Sequence, residues 1–220
     1  MSIWFEKFLN LLFPPKCPLC RKRVREHEFC EACRRNFPQK SIQRSLPIVK
    51  KEKKLRTVCV VPYEGAYRKA VQRFKFSNKK VYGYAMTKVM AEASADLKMK
   101  FDAICFVPIS KKRKRQRGYN QSELLAALIG KSLTVPVLPL LIKVRENEIQ
   151  HELPAEKRVE NVKNVFAAKG TAKGLKLLLI DDILTTGATL SACTEELFRA
   201  GADEVCGLCF ADTSRSKAMR

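Results

Sequence analysis

Short aliphatic and β-branched runs alternate with longer amphipathic stretches from about residue 57 onward. Runs of the first kind are typical of buried strands, and stretches of the second kind are typical of helices that cover a sheet. The predicted strands are 57–63, 103–107, 137–142, 175–180 and 204–210. The predicted helices lie within 66–76, 79–98, 121–132 and 189–199. The alternation predicts an α/β domain over 57–213, with a parallel sheet flanked by helices and its ligand at the carboxyl ends of the strands.

The chain before this domain divides into three parts. Residues 1–15 are predicted to form a short helix over 3–13, ended by Pro14-Pro15. This helix would dock on the main domain or lie on a membrane surface, although it is short and lacks a basic face. Residues 16–37 form a cysteine module, and 38–56 are expected to be a basic linker because prolines and lysines dominate there.

An aliphatic run leads into two adjacent carboxylates. Residues 177–180 are all leucine or isoleucine, which suits a strand buried on both faces, and Asp181 and Asp182 follow them. Adjacent carboxylates at a strand end are costly unless cations or hydroxyl groups meet them, and a ribose diol with a Mg²⁺-bound pyrophosphate would do so. The next turn offers hydroxyls, a glycine and backbone N–H groups at a helix N-terminus, which suit a phosphate. Its residues are Thr185, Thr186, Gly187, Ala188 and Thr189.

All thirteen residues of 177–189 resemble the signature with which type I phosphoribosyltransferases bind phosphoribosyl pyrophosphate, or PRPP. The resemblance implies that Asp181 and Asp182 contact the ribose 2′- and 3′-hydroxyls as catalytic residues. It also implies that residues 185–189 hold the 5′-phosphate and that Mg²⁺ accompanies the ligand. The alternative is an ordinary strand–turn–helix with an acidic turn.

A strongly basic stretch follows strand 103–107, with six positive charges within residues 111–117. A cluster of this kind at the carboxyl end of a strand would seat a pyrophosphate. The candidates are Lys111, Lys112, Arg113 and Arg117. A solvated loop or a nucleic-acid surface is the alternative, and a mixed role fits because only some of these side chains can face one ligand.

Two further patterns resemble the competence ComF family. Residues 117–121 are similar to the RG[FY]NQ hallmark of that family, and Lys75-Phe76 also resembles family positions. A second family pattern is matched by Gln150, Leu153, Arg158, Asn161 and Phe166. Phosphoribosyltransferases carry a flexible loop and a hood over the acceptor in this part of the chain. The acceptor candidates are therefore Asn120, Gln121, Gln150, Arg158 and Asn161, with packing and capping roles as the alternative.

The resemblance to the ComF family covers nearly the whole chain. It implies a type I phosphoribosyltransferase-like domain preceded by a zinc module, and it points to natural transformation. One hypothesis is a phosphoribosyltransferase whose acceptor the resemblance does not identify. The other is a non-catalytic factor that handles single-stranded DNA, with PRPP or a nucleotide as a regulatory ligand. A competence helicase is the partner that the resemblance suggests.

Four of the nine cysteines form two CxxC pairs, Cys17/Cys20 and Cys30/Cys33. Two such pairs can place four thiolates around one Zn²⁺, and two disulfides are the alternative. Since all four positions would be filled by protein, the zinc would be structural, with His27 as a substitute ligand at most. The remaining cysteines are expected to be packing residues, with Cys206 and Cys209 on opposite faces of a strand. These are Cys59, Cys105, Cys193, Cys206 and Cys209.

The formal net charge is +21, and residues 1–56 contribute +10 of it, from 15 Lys/Arg and 5 Asp/Glu. Such an excess favours an anionic partner, which could be a polyphosphate ligand, a nucleic acid or an acidic membrane surface. A well-solvated basic surface is the alternative. No apolar run approaches the roughly 20 residues that span a bilayer, and no secretory signal is recognised, so we expect a cytoplasmic protein.

Overall fold

The computed structural model describes residues 14–48, 51–76, 80–145 and 165–214. The predicted helix over 3–13 and the acceptor candidates Gln150, Arg158 and Asn161 lie outside these residues. The described strands are β1 Ile42–Ile48, β2 Lys51–Pro62, β3 Ala103–Phe106, β4 Leu141–Lys143, β5 Phe166–Ala168, β6 Lys176–Leu184 and β7 Glu204–Asp212. The described helices are α1 Glu31–Arg35, α2 Gly65–Phe76, α3 Val81–Ala93, α4 Lys111–Arg117, α5 Gln121–Leu133 and α6 Ala188–Arg199, with a 3₁₀ turn at Ser94–Leu97.

The main sheet has five strands in the order β1-β2-β7-β6-β3. Strands β2, β7, β6 and β3 are parallel to their neighbours, and only the edge strand β1 runs antiparallel, against β2. The predicted α/β class with a parallel, helix-flanked sheet is therefore confirmed. Because the parallel strands share one direction, their carboxyl ends lie at one edge, where β6 ends in the threonine-rich turn.

The prediction of a linker over 38–56 is wrong, because this segment forms β1 and the first half of β2. Its apolar residues follow the period of two of a strand, and Leu46 and Ile48 are buried between exposed neighbours. Pro47 is compatible with this arrangement because β1 is an edge strand, where one side of the ladder needs no N–H donor. The lysine-rich run of β2 leads into the fully buried Leu55.

The strand predicted at 137–142 does not join the parallel sheet as an extended strand. Residues 136–138 run beside β3, with the Ile104 N–H donating to the Pro136 carbonyl and the Leu138 N–H donating to the Ile104 carbonyl, both at 2.8 Å. Pro139 has no N–H to continue the ladder. The chain then forms β4, which pairs antiparallel with β5 in a separate two-stranded sheet.

The two faces of the main sheet are covered by different elements. Helices α2, α3 and α5 bury one face, together with the cysteine module, and α6 buries the other, together with β1, β4 and β5. Cys206 belongs to the first cluster and Cys209 to the second, as their spacing on β7 predicts. Both are fully buried, as are Cys59, Cys105 and Cys193, so the prediction of packing cysteines is confirmed.

Candidate functional site

The acidic pair lies within the last part of β6. Asp182 is buried, whereas Asp181 is partly buried and accepts a hydrogen bond of 2.8 Å from the Ser122 hydroxyl. The backbone N–H of Asp182 donates to the same carboxylate oxygen of Asp181 at 2.9 Å. Ser122 lies in the first turn of α5, so this hydrogen bond joins the start of the helix to the end of β6. Sequence reasoning had no signal for Ser122 beyond its place after residues 117–121.

Lys75 supplies a positive charge in direct contact with the acidic pair. Its Nζ lies 2.9 Å from Oδ2 of Asp182, and only 18% of the Lys75 side chain and 9% of the Asp182 side chain are exposed. Lys75 is in the last turn of α2, which ends beside the carboxyl edge of the sheet. The family pattern had marked Lys75 without a role, and the structure brings it to the carboxylates. An ion pair with so little solvent access is screened weakly.

The surroundings of Asp181 disfavour its ionised form. Burial, followed by the adjacent Asp182 carboxylate, raises the pKa of Asp181 to about 7. Lys75 and the Ser122 hydroxyl act in the opposite direction, because a positive charge and a hydrogen-bond donor favour the carboxylate. A proton on Asp181 is therefore gained or lost near neutral pH, which makes the pair sensitive to an incoming cation or hydroxyl donor.

The threonine-rich turn connects β6 to α6. Thr185 and Thr186 are exposed, and the Thr186 hydroxyl accepts a hydrogen bond of 3.4 Å from the N–H of Ala188, with Thr189 next in the first turn of α6. Gly187 is the N-cap of this helix, with φ of 87°, a conformation that favours glycine. The turn thus has the exposed hydroxyls and the helix N-terminus expected from the sequence.

Gly187 also has no room for a side chain. A Cβ atom at this position would lie 2.7 Å from Cδ2 of Leu46 in β1. The strand that was expected to be a linker therefore packs directly against the turn. Strand β1 also reaches the carboxyl end of β7, where Nη1 of Arg44 lies 3.0 Å from Oδ2 of the fully buried Asp212 side chain.

The basic stretch forms a helix, α4, so the alternative of a solvated loop does not describe it. Ser110 begins it as the N-cap, with its hydroxyl accepting a hydrogen bond of 3.2 Å from the N–H of Arg113. A helix distributes six positive charges around its axis, so only part of them can face one ligand. Arg113 and Arg117 are four residues apart on one face and are partly buried, whereas Lys111 and Lys112 are exposed.

Arg117 is the member of this set that lies nearest to the acidic pair. Burial lowers the pKa of Arg117, and the charge of Asp182 raises it, while Arg113 lowers it further. Nη1 of Arg117 donates to Oε1 of Gln121 at 3.0 Å. The structure therefore brings Arg117 within reach of the charges of the acidic pair, places Arg113 near Arg117, and leaves Lys111 and Lys112 exposed.

Asn120 has a structural role that uses both ends of its amide. Its Oδ1 accepts from the N–H of Ser122 at 3.1 Å as the N-cap of α5, and its Nδ2 donates to the carbonyl of Val107 at 3.0 Å. Asn120 is buried, so the capping alternative describes it better than acceptor contact. Gln121 is buried as well, and its Nε2 has no hydrogen-bond partner within the described residues.

The four module cysteines come together as a metal-binding geometry requires. The Sγ atoms of Cys17, Cys20, Cys30 and Cys33 all lie within 4.8 Å of one another, and those of Cys20 and Cys30 are 3.5 Å apart. Four Zn–S bonds of roughly 2.3 Å in a tetrahedron fit sulfur atoms at such separations. None of these cysteines forms a disulfide, and the backbone N–H of Lys22 lowers the pKa of Cys20 to about 7. The cluster supports a structural Zn²⁺.

The module is part of the main core. Phe29 and Phe37 are buried, and the Phe29 ring stacks on Phe210 of β7 with centroids 6.2 Å apart. Nη1 of Arg73 in α2 donates to the Pro18 carbonyl at 3.1 Å, and the Tyr67 hydroxyl of the same helix donates to the Asn36 carbonyl at 3.0 Å. None of the described helices is long and apolar enough to cross a membrane.

Comparison with known proteins finds a match to the cysteine module and relatives that cover most of the chain. A family model described as a double zinc ribbon domain matches residues 8–45. Competence protein F of Haemophilus influenzae is 29% identical over 199 residues, which are 86% of each chain. The chain is therefore similar over most of its length to a competence protein. Other similar proteins are the DNA utilization protein YhgH of Salmonella typhimurium, 29% identical over 90% of each chain, and competence protein ComFC of Bacillus subtilis, 26% identical over 84% of this chain and 72% of the relative.

Solved structures similar to this chain include phosphoribosyltransferases. The glutamine PRPP amidotransferase of B. subtilis is 23% identical with a TM-score of 0.40, over 60% of this chain and 26% of that chain. The adenine phosphoribosyltransferase of Leishmania tarentolae is 18% identical with a TM-score of 0.39, over 74% of this chain and 66% of that chain. Similarities at this level are distant, and they carry no argument about individual residues.

Proposed function

We propose that the protein binds PRPP with Mg²⁺ at the carboxyl end of β6 and transfers its phosphoribosyl group to an acceptor not yet identified, in connection with DNA uptake. One observation carries the proposal. Asp181 and Asp182 lie beside a turn with exposed hydroxyls that opens into the N-terminus of α6. A sugar phosphate with a free diol matches this arrangement, because carboxylates accept from hydroxyls and a helix N-terminus favours a phosphate.

The reaction would replace one bond at C1′ of the ribose by another. The C1′–O bond to pyrophosphate breaks, and the pyrophosphate leaves with the bonding electrons. A nitrogen of the acceptor forms the new bond to C1′ and gives up a proton. Asp181 and Asp182 would orient the diol, and their negative charge would stabilise the positive charge that develops on the sugar ring.

The leaving pyrophosphate would meet α4. Arg113 and Arg117 share the partly buried face of this helix, so they are the proposed contacts, and Lys111 and Lys112 would act at most through their charge. Mg²⁺ would neutralise part of the pyrophosphate charge when bound, and the donors suited to it are the ligand's own phosphate oxygens. The charge of this segment is consistent with a polyphosphate ligand.

Calorimetric titration of the zinc-loaded protein with PRPP and Mg²⁺ tests the proposal. We expect binding that is lost when Asp181→Asn and Asp182→Asn are combined, because two amides replace the carboxylates that accept from the diol. The matched control is Asp203→Asn, since Asp203 is an exposed carboxylate just before β7 begins, away from the carboxyl edge of the sheet. Absence of binding to the folded wild type would refute the proposal, whereas binding would justify a search for pyrophosphate release with bases and amines.

A second candidate function is the handling of single-stranded DNA, with a competence helicase as proposed partner. Exposed basic side chains on the cysteine module favour it, and they would contact the phosphate backbone without reading the sequence. These residues are Arg21, Lys22, Arg23 and Arg25. Arg34 and Arg35 suit this role less well, because they pair with Glu92 and Glu31.

Changing the four exposed basic residues of the module to glutamine tests this second function. We expect the logarithm of affinity for single-stranded DNA to fall less steeply with salt, by about 0.7 for each phosphate contact that is lost. Point substitutions are preferable to deletion of residues 1–56, which would remove β1 from the sheet. An unchanged salt dependence would exclude the module from DNA binding.

A further inference from the structure

Helix α2 contacts both the acidic pair of the candidate site and the cysteine module. At its end, Lys75 pairs with Asp182 at 2.9 Å. Two residues earlier, Arg73 donates to the carbonyl of Pro18, which lies inside the first CxxC pair. Nearer its start, Tyr67 donates to Asn36 and its ring lies 5.4 Å from that of Phe37, just after α1.

The end of α2 contacts the turn that precedes α5. Phe74 is fully buried, and its carbonyl accepts a hydrogen bond from the Tyr119 hydroxyl, just before α5. The rings of Phe74 and Tyr119 meet edge to face, with centroids 5.7 Å apart. Lys75 therefore extends from a backbone that is held on one side by the start of α5 and on the other by the cysteine module.

Charged and titratable groups surround the acidic pair from several elements. Lys75 comes from α2, Arg117 and Tyr119 come from α4 and the turn after it, and Ser122 comes from α5. Cys209 in β7 and Cys193 in α6 are also near enough for the charge of Asp181 to raise the pKa of their thiols. Lys75 forms a direct ion pair with Asp182, with Nζ and Oδ2 2.9 Å apart.

We propose that Lys75 is a positioning residue of this site, that its ion pair with Asp182 favours the ionised acidic pair that faces the ligand, and that the cysteine module fixes its place through Arg73. The proposal rests on the PRPP site proposed above. Without the ammonium group, two adjacent carboxylates in a poorly solvated site would keep a shared proton to a higher pH, because the charge that opposes their repulsion is gone. Without the Arg73 contact, the last turn of α2 would lose its support from the first CxxC pair.

The first test compares PRPP affinity as a function of pH in Lys75→Gln, Lys75→Arg and wild type. We expect affinity at pH 7 to fall on the order of tenfold in Lys75→Gln, with partial recovery as pH rises, because a lost charge raises the pH at which both carboxylates are ionised. Lys75→Arg keeps the charge and should lose less. Lys69→Gln removes an exposed charge from the same helix and should behave as wild type. Unchanged or tighter binding in Lys75→Gln would overturn the proposal.

The second test is a double-mutant cycle that measures the effect of Arg73→Gln on PRPP affinity in the wild type and in Lys75→Gln. All variants are compared at equal zinc content. Arg73→Gln should weaken binding about threefold in the wild type and have little effect in Lys75→Gln, because both changes act on the same ion pair. Equal effects of Arg73→Gln in both backgrounds would mean that Arg73 acts by another route, and the part of the proposal concerning the module would fail.

A third measurement separates this inference from the proposed function. Carbon-13 NMR of aspartate carboxyls reports the protonation of Asp181 and Asp182 in the free protein, with Asp181→Asn and Asp182→Asn to assign the signals. Lys75→Gln should move the titration of the pair to higher pH, and Arg73→Gln should move it in the same direction by less. If the wild type does not bind PRPP, the proposed function fails while this titration still decides the role of Lys75. An unmoved titration in Lys75→Gln would overturn the inference whatever the binding data show.

Discussion

Asp181 has a carboxyl group whose charge the folded protein disfavours. Its pKa of about 7 lies above the model-peptide value of 3.8, chiefly through burial and the neighbouring Asp182. A carboxyl whose pKa is raised by folding stabilises the native state, and this stabilisation is fully present at pH values below the pKa of the group in the unfolded chain. This contribution is lost as pH rises through the folded pKa. The native state therefore pays for a charged acidic pair at and above neutral pH, as binding sites often do.

Asp181→Asn should reveal this cost as a pH-dependent gain in stability. We expect the free energy of unfolding of the variant, relative to wild type, to rise by about 2 kcal/mol between pH 5 and pH 8, because an amide cannot ionise. Urea unfolding at the two pH values measures it, with Asp203→Asn as an exposed control. A difference that does not change with pH would show that Asp181 titrates normally.

Strand β1 and the threonine-rich turn depend on each other at the level of elements. Leu46 of β1 fills the space where a side chain of Gly187 would lie, so the edge strand forms part of the wall behind the proposed phosphate position. The same strand is tied to β7 through Arg44 and Asp212, and the Asp212 side chain is completely buried. An edge strand with these contacts determines how closely the turn can approach the sheet.

Gly187→Ala should destabilise the protein in two ways, through the strained positive φ and through overlap of the new Cβ with Leu46, and a matched control can separate them. Gly170 has a similar positive φ of 95° but nothing within 4 Å of an added Cβ, so Gly170→Ala measures the backbone term alone, about 1 kcal/mol. Gly187→Ala should cost about 2 kcal/mol more than this control through overlap with Leu46. Leu46→Ala should remove most of the excess in a double variant, as thermal or urea unfolding would show. Equal costs for the two alanines would show that Leu46 moves aside freely.

The sequence predicted the elements whose residue pattern is continuous along the chain. Residues 177–189 form the predicted order of strand, turn and helix, because aliphatic run, carboxylates and glycine follow one another in the chain. The sequence predicted that the strand ends at residue 180, whereas β6 continues through the acidic pair to Leu184. It missed β1 because Pro47 and the lysines indicate a loop, and only pairing with β2 shows otherwise. It gave Lys75 no role because its partner Asp182 is distant in sequence and becomes its neighbour only through the fold. It did not predict α4 because residues 111–117 contain six positive charges and no apolar residue that could show a helical period, so the N-cap at Ser110 had no pattern to support it.

Within the described residues, the cysteine module and the main domain share one hydrophobic core. Phe29 and Phe37 meet at 4.9 Å between ring centroids and join the cluster that α2, α3 and β7 form. A module of this size cannot bury enough apolar surface to fold alone, so metal and domain both contribute to its structure. Loss of the metal should therefore affect the stability of the domain as well.

Removal of zinc by a chelator should lower the melting temperature of the entire chain by about 10 °C, as a single transition. The two phenylalanines would lose burial worth roughly 2 kcal/mol each, which for a chain of this size corresponds to a shift of that order. Circular dichroism with parallel metal analysis measures it, and Cys30→Ser should already show the lowered temperature and no response to chelator. Two separate transitions would contradict a shared core.

The position of β7 affects the order in which the protein can be completed during synthesis. This strand pairs with β2 on one side and β6 on the other, although about 150 residues separate Val58 from its partner Leu208. Until the ribosome has released β7, β2 and β6 each have an open edge, and the acidic pair has no strand beside it. Slow folding is expected of a topology with such distant pairing. A nascent chain that stops before β7 exposes the unpaired edges of β2 and β6, which chaperones would have to shield, and the site can be assembled only after β7 has been synthesised.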